Sequence, residues 1–100
     1  MPAVPATITD PPAGLDLDVA WRLSPSVSLR PEPFGALVYD FSTRRLSFLK
    51  SLLLLAVVRA LDEADDVHQA LDAAGVGPQQ RPRYAKALAG LARAGTIQRR

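Results

Sequence analysis

The spacing of apolar residues changes at Ser51, and this change limits the fold of the chain more than any other feature. Before Ser51, apolar and polar residues alternate, as in residues 27–30, which is typical of strands with one buried face. After Ser51 the spacing becomes that of one helix face, with apolar residues at Leu53, Leu54, Val57, Val58 and Leu61. The sequence therefore predicts an α+β domain in which the strands come first and the helices follow.

A meander of three antiparallel strands is predicted before Ser51. The first strand is predicted within residues 21–30, the second at 36–41 and the third at 46–49. Pro31 and Pro33 end the first strand, since proline cannot donate to a strand ladder. The third strand then lies at the edge of the sheet.

The register of the second hairpin follows from its apolar residues. A turn at residues 42–45 lets apolar side chains share one face of the two strands. The predicted cross-strand pairs are Phe41 with Leu46, Tyr39 with Phe48, and Leu37 with Lys50. Of these residues only Lys50 is not apolar.

Three helices are predicted after the strands. Ser51 is the predicted N-cap of the first helix, and Asp65 or Asp66 that of a short second helix which Gly75 closes. The third helix is predicted at residues 79–94. Three strands followed by three helices are typical of a winged-helix-like domain.

The predicted domain covers residues 19–97. Residues 1–18 contain four of the nine prolines and no apolar periodicity, so they are predicted to form a flexible tail. This tail has neither the positive charge nor the apolar segment of a secretory signal. The apolar run at 52–58 is too short to span a membrane, because Lys50 and Arg59 bracket it. We expect a cytoplasmic protein without a membrane partner.

Composition argues against an enzyme. The chain has no cysteine, which excludes disulfides, thiolate metal sites and thiol nucleophiles. Its one histidine, His68, has only Asp72 four residues away, and one histidine with one aspartate does not form a metal site. We therefore predict no catalytic residue, no metal and no cofactor.

The third predicted helix is basic, which raises a nucleic-acid alternative. Winged-helix domains often place such a helix in the major groove of DNA. The exposed side of this helix lacks the Asn, Gln and Ser side chains that usually read base edges. We therefore expect no nucleic acid, and a small DNA-binding regulator remains the alternative function.

Two further features each leave two interpretations open. Leu52 and Leu55 add apolar surface beyond the core-facing stripe, so either their helix is buried on nearly all sides or they contact another chain. Ala87, Gly90 and Ala94 form a stripe of small residues on the third helix, and a glycine within a helix costs about 1 kcal/mol relative to alanine. Either another element of the chain packs closely against this stripe, or it borders a groove for an extended peptide.

The segments 21–39 and 44–51 closely resemble the mycofactocin biosynthesis peptide chaperones of actinobacteria. The most specific parts are the phrase from Arg30 to Tyr39 and the strand Arg-Arg-Leu-Ser-Phe-Leu-Lys at 44–50. The resemblance covers about residues 19–97 and extends to the wider pyrroloquinoline-quinone chaperone family of precursor-peptide recognition elements. It implies a non-enzymatic protein that binds the leader of a ribosomally made precursor and presents it to a radical SAM maturase.

The resemblance also implies a binding site. In similar domains the leader adds as a strand to the third β-strand, in a groove beside the third helix, by β-augmentation. The corresponding residues here, with the basic side chains around them, are Arg44, Arg45, Leu46, Ser47, Phe48, Leu49, Arg83, Lys86, Ala87, Gly90 and Ala94. The maturase or a second copy of the chain, forming a homodimer, would contact Leu52 and Leu55.

Overall fold

The computed structural model describes residues 15–100, in which four strands precede three helices and a fifth strand follows them. The elements are β1 (Trp21–Leu23), β2 (Val27–Glu32), β3 (Gly35–Asp40), β4 (Arg45–Leu49), α1 (Leu52–Leu61), α2 (Val67–Ala74), α3 (Arg81–Arg93) and β5 (Ile97–Arg99). Strands β2, β3 and β4 form an antiparallel sheet in that order, with β4 at one edge. The predicted α+β class and three-stranded meander are confirmed.

The predicted first strand is divided into two strands that belong to different sheets. β1 pairs with β5 in a second, two-stranded antiparallel sheet, where Trp21 lies opposite Arg99 and Leu23 opposite Ile97. Residues 24–26 separate β1 from β2, and the N–H of Ser24 donates to the carbonyl of Thr96 at 2.9 Å. The prediction missed β5 because three residues after a helix carry no usable periodicity.

The register of β3 and β4 differs from the prediction by two residues. Tyr39 lies opposite Leu46, and Leu37 lies opposite Phe48. The turn begins one residue earlier than predicted, because the Asp40 side chain accepts a hydrogen bond from the N–H of Ser42 at 2.8 Å and organises the turn at residues 41–44. A shift of two residues keeps the same side chains on each face.

The apolar face predicted for this hairpin is the outer face of the sheet. The helices cover the opposite face, whose buried side chains are Val27, Ala36, Val38 and Leu49. Leu46 and Phe48 are exposed, and Leu37 and Tyr39 are half-buried. Both faces of β3 and β4 are therefore rich in apolar residues, and only one of them belongs to the core.

The helix boundaries agree with the predicted capping residues. The Ser51 hydroxyl accepts from the N–H of Leu54 at 3.0 Å, and Asp66 caps α2 through the N–H of Gln69 at 2.8 Å. Gly75 ends α2 with φ of 83°, a left-handed conformation that glycine adopts without strain. Short-range capping chemistry therefore sets the start of α1 and both ends of α2.

The partner contact predicted at Leu55 is wrong. Leu55 is 6% exposed and belongs to the core, whereas Leu52 is 60% exposed. The core-facing surface of α1 is rotated relative to the predicted stripe, since Leu53 is only half-buried. Only Leu52 remains available for a contact with another chain.

Packing extends beyond both predicted bounds of the domain. Leu15 and Leu17 pack against the core, and the Leu17 carbonyl accepts from the N–H of Val67 at 3.1 Å. At the other end, the Arg100 guanidinium donates to the carbonyls of Asp62 and Ala64, just after α1. The flexible tail predicted at residues 1–18 lies outside the described residues for positions 1–14, while residues 15–18 lie against the folded domain.

Candidate functional site

The open edge of β4 is the first component of the candidate site. Along a strand, the N–H and C=O of each residue point to the same side, and the side alternates from residue to residue. The N–H of Phe41 donates to the Ser26 carbonyl at 2.8 Å, so the odd-numbered residues of β3 direct their backbone groups toward β2. Ala36 and Val38 therefore direct theirs toward β4.

This alternation assigns the backbone groups of β4. Residues Arg45, Ser47 and Leu49 lie opposite Asp40, Val38 and Ala36, so they exchange hydrogen bonds with β3. Leu46 and Phe48 direct their N–H and C=O groups away from the sheet. Among residues 15–100, no hydrogen bond from outside the sheet reaches the backbone of either residue. β4 thus presents two N–H groups and two carbonyls that an added strand could use.

The opposite edge of the sheet, along β2, offers fewer such groups. The N–H of Val27 donates to the Ser24 carbonyl at 2.9 Å. By the same alternation, Pro31 occupies an outward position of β2, and proline has no N–H. The two edges differ, and β4 is the better acceptor of a strand.

A cavity of about 310 Å³ lies between β4 and the end of α3. Its lining residues are Val38, Asp40, Thr43, Arg45, Leu46, Ser47, Ala94 and Thr96. The structure therefore brings together four of the predicted site residues from β4 and from the C-cap of α3, namely Arg45, Leu46, Ser47 and Ala94. Sequence reasoning missed Asp40 and Thr43, although Asp40 followed by Ser42 is a usual signal for a side-chain-capped turn.

The remaining predicted residues of α3 lie outside this lining. Arg83 and Lys86 are exposed, and Ala87 is half-buried. A Cβ placed on Gly90 would find only the Arg93 guanidinium, at 3.9 Å. Close packing of another described element therefore does not explain Gly90, and the side of α3 that bears it is open.

The two ends of the predicted strand segment behave differently. Leu49 is buried in the core, so its side chain cannot contact a ligand, and its inclusion among the binding residues is corrected. Arg44 lies in the turn with φ of 61°, a left-handed conformation that is uncommon for a residue other than glycine. Its side chain is exposed, next to Arg45 at the start of β4.

Asp40 places a carboxylate in the lining of the cavity, which also contains the basic residue Arg45. A hydrogen bond from the Ser42 hydroxyl, at 2.7 Å, is the main cause that lowers the pKa of Asp40 below its ordinary value. The Ser26 hydroxyl also donates to the same carboxylate oxygen, at 3.0 Å. Asp40 is therefore charged at neutral pH, and its hydrogen bonds from Ser42 stabilise the turn that precedes β4.

His68 lies away from this site, on the surface of α2. Its Nε2 is 3.1 Å from the Asp18 carboxylate, and both side chains are exposed. Within residues 15–100, no three His, Cys, Asp or Glu side chains are grouped in a way that could hold a metal ion. Over the same residues, no helix combines the length and the apolar character that crossing a bilayer requires.

Residues 20–98 match the model of the Peptide chaperone MftB family. The chain belongs to this family. It is 49% identical to the peptide chaperone MftB of Mycobacterium ulcerans over 88 residues, which cover 88% of this chain and 81% of that protein. It is 52% identical to the peptide chaperone MftB of Mycolicibacterium smegmatis over 73 residues, covering 73% of this chain and 72% of that protein.

A third MftB relative, from Mycobacterium tuberculosis, is 51% identical over 77 residues, which cover 77% of this chain and 71% of that protein. No solved structure matches the chain. The family match spans all three described helices and every strand except the last residue of β5, so the β4 edge and α3 lie within the part shared with the family. Membership indicates a chaperone role for a peptide in mycofactocin biosynthesis.

Proposed function

We propose that the protein binds the leader of the ribosomally synthesised precursor in mycofactocin biosynthesis and presents it to a radical SAM maturase. It acts without a cofactor or catalytic residue of its own. Membership of the MftB peptide chaperone family supports the peptide partner. The leader and the maturase follow from the resemblance of residues 21–39 and 44–51 to chaperones of this system.

One observation carries the proposed binding mode, namely the outward backbone groups of Leu46 and Phe48. In β-augmentation an extended peptide adds a strand to such an edge, about 4.8 Å from its neighbour, and main-chain hydrogen bonds supply affinity. The cavity beside Ser47 and Ala94 gives room for side chains of that strand on the α3 side. The open edge of β4 and this cavity support the proposed binding mode.

The charges around β4 favour an acidic leader. Arg44 and Arg45 stand at one end of the strand and Lys50 directly follows the other end, and all three are exposed. Arg83 and Lys86 add positive charge on α3. Complementary charge accelerates association, so the rate of leader binding should fall as salt concentration rises.

Titration calorimetry with a synthetic mycofactocin precursor peptide tests the proposal. Gly90→Leu adds a side chain to an open part of α3 at no loss of helix propensity, so Kd should rise tenfold or more, about 1.4 kcal/mol. Ala73→Leu makes a comparable addition on an exposed position of α2, away from β4, and should leave Kd unchanged.

Three results would contradict the proposal at different points. Absence of precursor binding by the unmodified protein would refute the function. Unchanged affinity in Gly90→Leu, with an unchanged circular dichroism spectrum, would remove this side of α3 from the site. Binding to duplex DNA that weakens steeply with salt, without peptide binding, would instead support the DNA-binding regulator.

A further inference from the structure

The outer face of the three-stranded sheet carries a cluster of apolar side chains. We call this cluster the outer apolar face, and its members are Phe34, Leu37, Tyr39, Leu46 and Phe48. Phe34 is 45% exposed, Leu46 57% and Phe48 53%. Contiguous apolar patches on a soluble protein usually mark an interaction site. The core does not need these side chains, since it lies on the other face of the sheet.

The outer apolar face adjoins the open edge of β4. Leu46 and Phe48 direct their side chains to this face and their backbone groups outward from the edge. In a strand that pairs with β4, the residues directly opposite these two must direct their side chains to the same face. Such cross-strand neighbours have Cβ atoms about 4.5–5.5 Å apart, which is close enough for apolar contact.

A cleft at the end of this face would receive one of those side chains. Phe34, Phe48 and Lys50 line a cavity of about 390 Å³. The rings of Phe34 and Phe48 meet edge to face, with centroids 6.1 Å apart. Lys50 places a positive charge at the rim of this cleft. Arg45, at the opposite end of β4, directs its side chain to the other face, where it lines the cavity beside Ser47. The charge complement of this surface is an apolar segment with a carboxylate near Lys50.

We infer that the bound leader carries two apolar side chains, two residues apart, against Leu46 and Phe48 on the outer face of the sheet. One of them enters the cleft of Phe34 and Phe48. One acidic residue of the leader lies near Lys50 on this face, and a second, opposite Arg45, points to the α3 side of the sheet. The residue between the two apolar ones points to the other face, into the cavity beside Ser47. This inference rests on the proposed function, and it places apolar recognition on the side of the sheet away from α3.

Fluorine NMR of the full chain with fluorinated phenylalanine tests the inference, because the chain has three phenylalanines. Phe34 and Phe48 line the cleft, whereas Phe41 lies beyond the end of β3, where its ring contacts Tyr39 at a centroid distance of 4.8 Å. Addition of the synthetic precursor peptide should shift the resonances of Phe34 and Phe48, and leave that of Phe41 nearly unchanged. Calorimetry on the same sample establishes whether the peptide binds.

Matched variants measure the contribution of the outer face. Phe48→Thr keeps a residue that favours strands and removes the aromatic surface, so Kd should rise about tenfold. Phe41→Thr, at a comparably exposed ring, should change Kd less than about twofold. Both variants should retain the melting temperature within a few degrees, since both rings are exposed.

The outcomes separate this inference from the proposed function. The inference would be overturned if the peptide binds but the Phe34 and Phe48 resonances do not move. It would also be overturned if Phe48→Thr binds the peptide with the same Kd as the unmodified protein. Either result would leave the proposed function standing. Failure of the peptide to bind would overturn both. If the chemical shifts of Phe34 and Phe48 change with protein concentration in the absence of peptide, the outer apolar face contacts a second copy of the chain. That result would also overturn the inference.

Discussion

Substitution of proline at neighbouring positions of β4 distinguishes an inward N–H from an outward one. Ser47 lies opposite Val38 and directs its N–H into the sheet, whereas Phe48 directs its N–H away from it. Phe48→Pro removes a donor that no described element uses, and Pro31 shows that the sheet accepts proline at an outward position. Ser47→Pro removes a bond between β3 and β4.

The expected magnitudes follow from one lost hydrogen bond in each case. Ser47→Pro should reduce the free energy of unfolding by about 1–3 kcal/mol, because the Val38 carbonyl loses its donor. This corresponds to a fall in melting temperature of at least about 5 °C. Phe48→Pro should keep most of the stability. Its Kd for the synthetic precursor should exceed that of Phe48→Ala by about two- to twelvefold, the value of one net hydrogen bond.

Thermal denaturation followed by circular dichroism and calorimetric titration supply the two measurements. Phe48→Ala is the reference because it removes the ring and keeps the N–H. A lower melting temperature for Phe48→Pro than for Ser47→Pro would refute the assigned alternation of backbone groups along β4. Equal Kd values for Phe48→Pro and Phe48→Ala would show that the peptide does not bond to this N–H.

Two further predictions concern α1 and the N-terminal segment. Leu55→Glu should destabilise the fold by at least about 3 kcal/mol, because it places a charge in the core. Leu52→Glu, at an exposed position, should fold normally and weaken capture of the maturase. Normal folding of Leu55→Glu in a denaturation experiment would contradict the packing of α1. Deletion of residues 1–14 should leave the melting temperature unchanged. A chain beginning at Asp18 also lacks Leu15 and Leu17, so its free energy of unfolding should fall by about 1–2 kcal/mol. Equal melting temperatures for the two shortened chains would show that residues 15–17 contribute nothing to stability.

Local chemistry along the chain was sufficient to predict the class of the fold and the ends of two helices. Ser51, Asp66 and Gly75 act on backbone groups within a few residues of themselves, so their roles can be read without knowledge of the rest of the fold. The meander could be predicted for the same reason, since its strands are neighbours in the sequence. The open edge of β4 follows directly from the meander, and with it the most important part of the candidate site.

The apolar periodicity alone was not sufficient to predict the register of β3 and β4, because it does not specify where the turn between them begins. A register shifted by two residues leaves the same side chains on each face, so the apolar pattern is satisfied by both registers. The hydrogen bonds that Asp40 accepts from Ser42 decide where the turn begins. Hydrogen bonds of this kind depend on the conformation of the turn, which the apolar pattern does not specify.

The choice of the buried face was decided by tertiary structure alone. In β3 and β4, Ala36, Val38 and Leu49 lie on one face, and Leu46 and Phe48 lie on the other, so both faces are apolar. Alternation separates two faces but does not indicate which one the helices will cover. The position of Leu55 in the core and the pairing of β1 with β5 depend likewise on segments far apart in the sequence. The sequence by itself determined the meander, its open edge and the starts of two helices, because local bonding decides them, whereas the packing of distant segments decided the second sheet and which apolar surface is buried and which stays exposed.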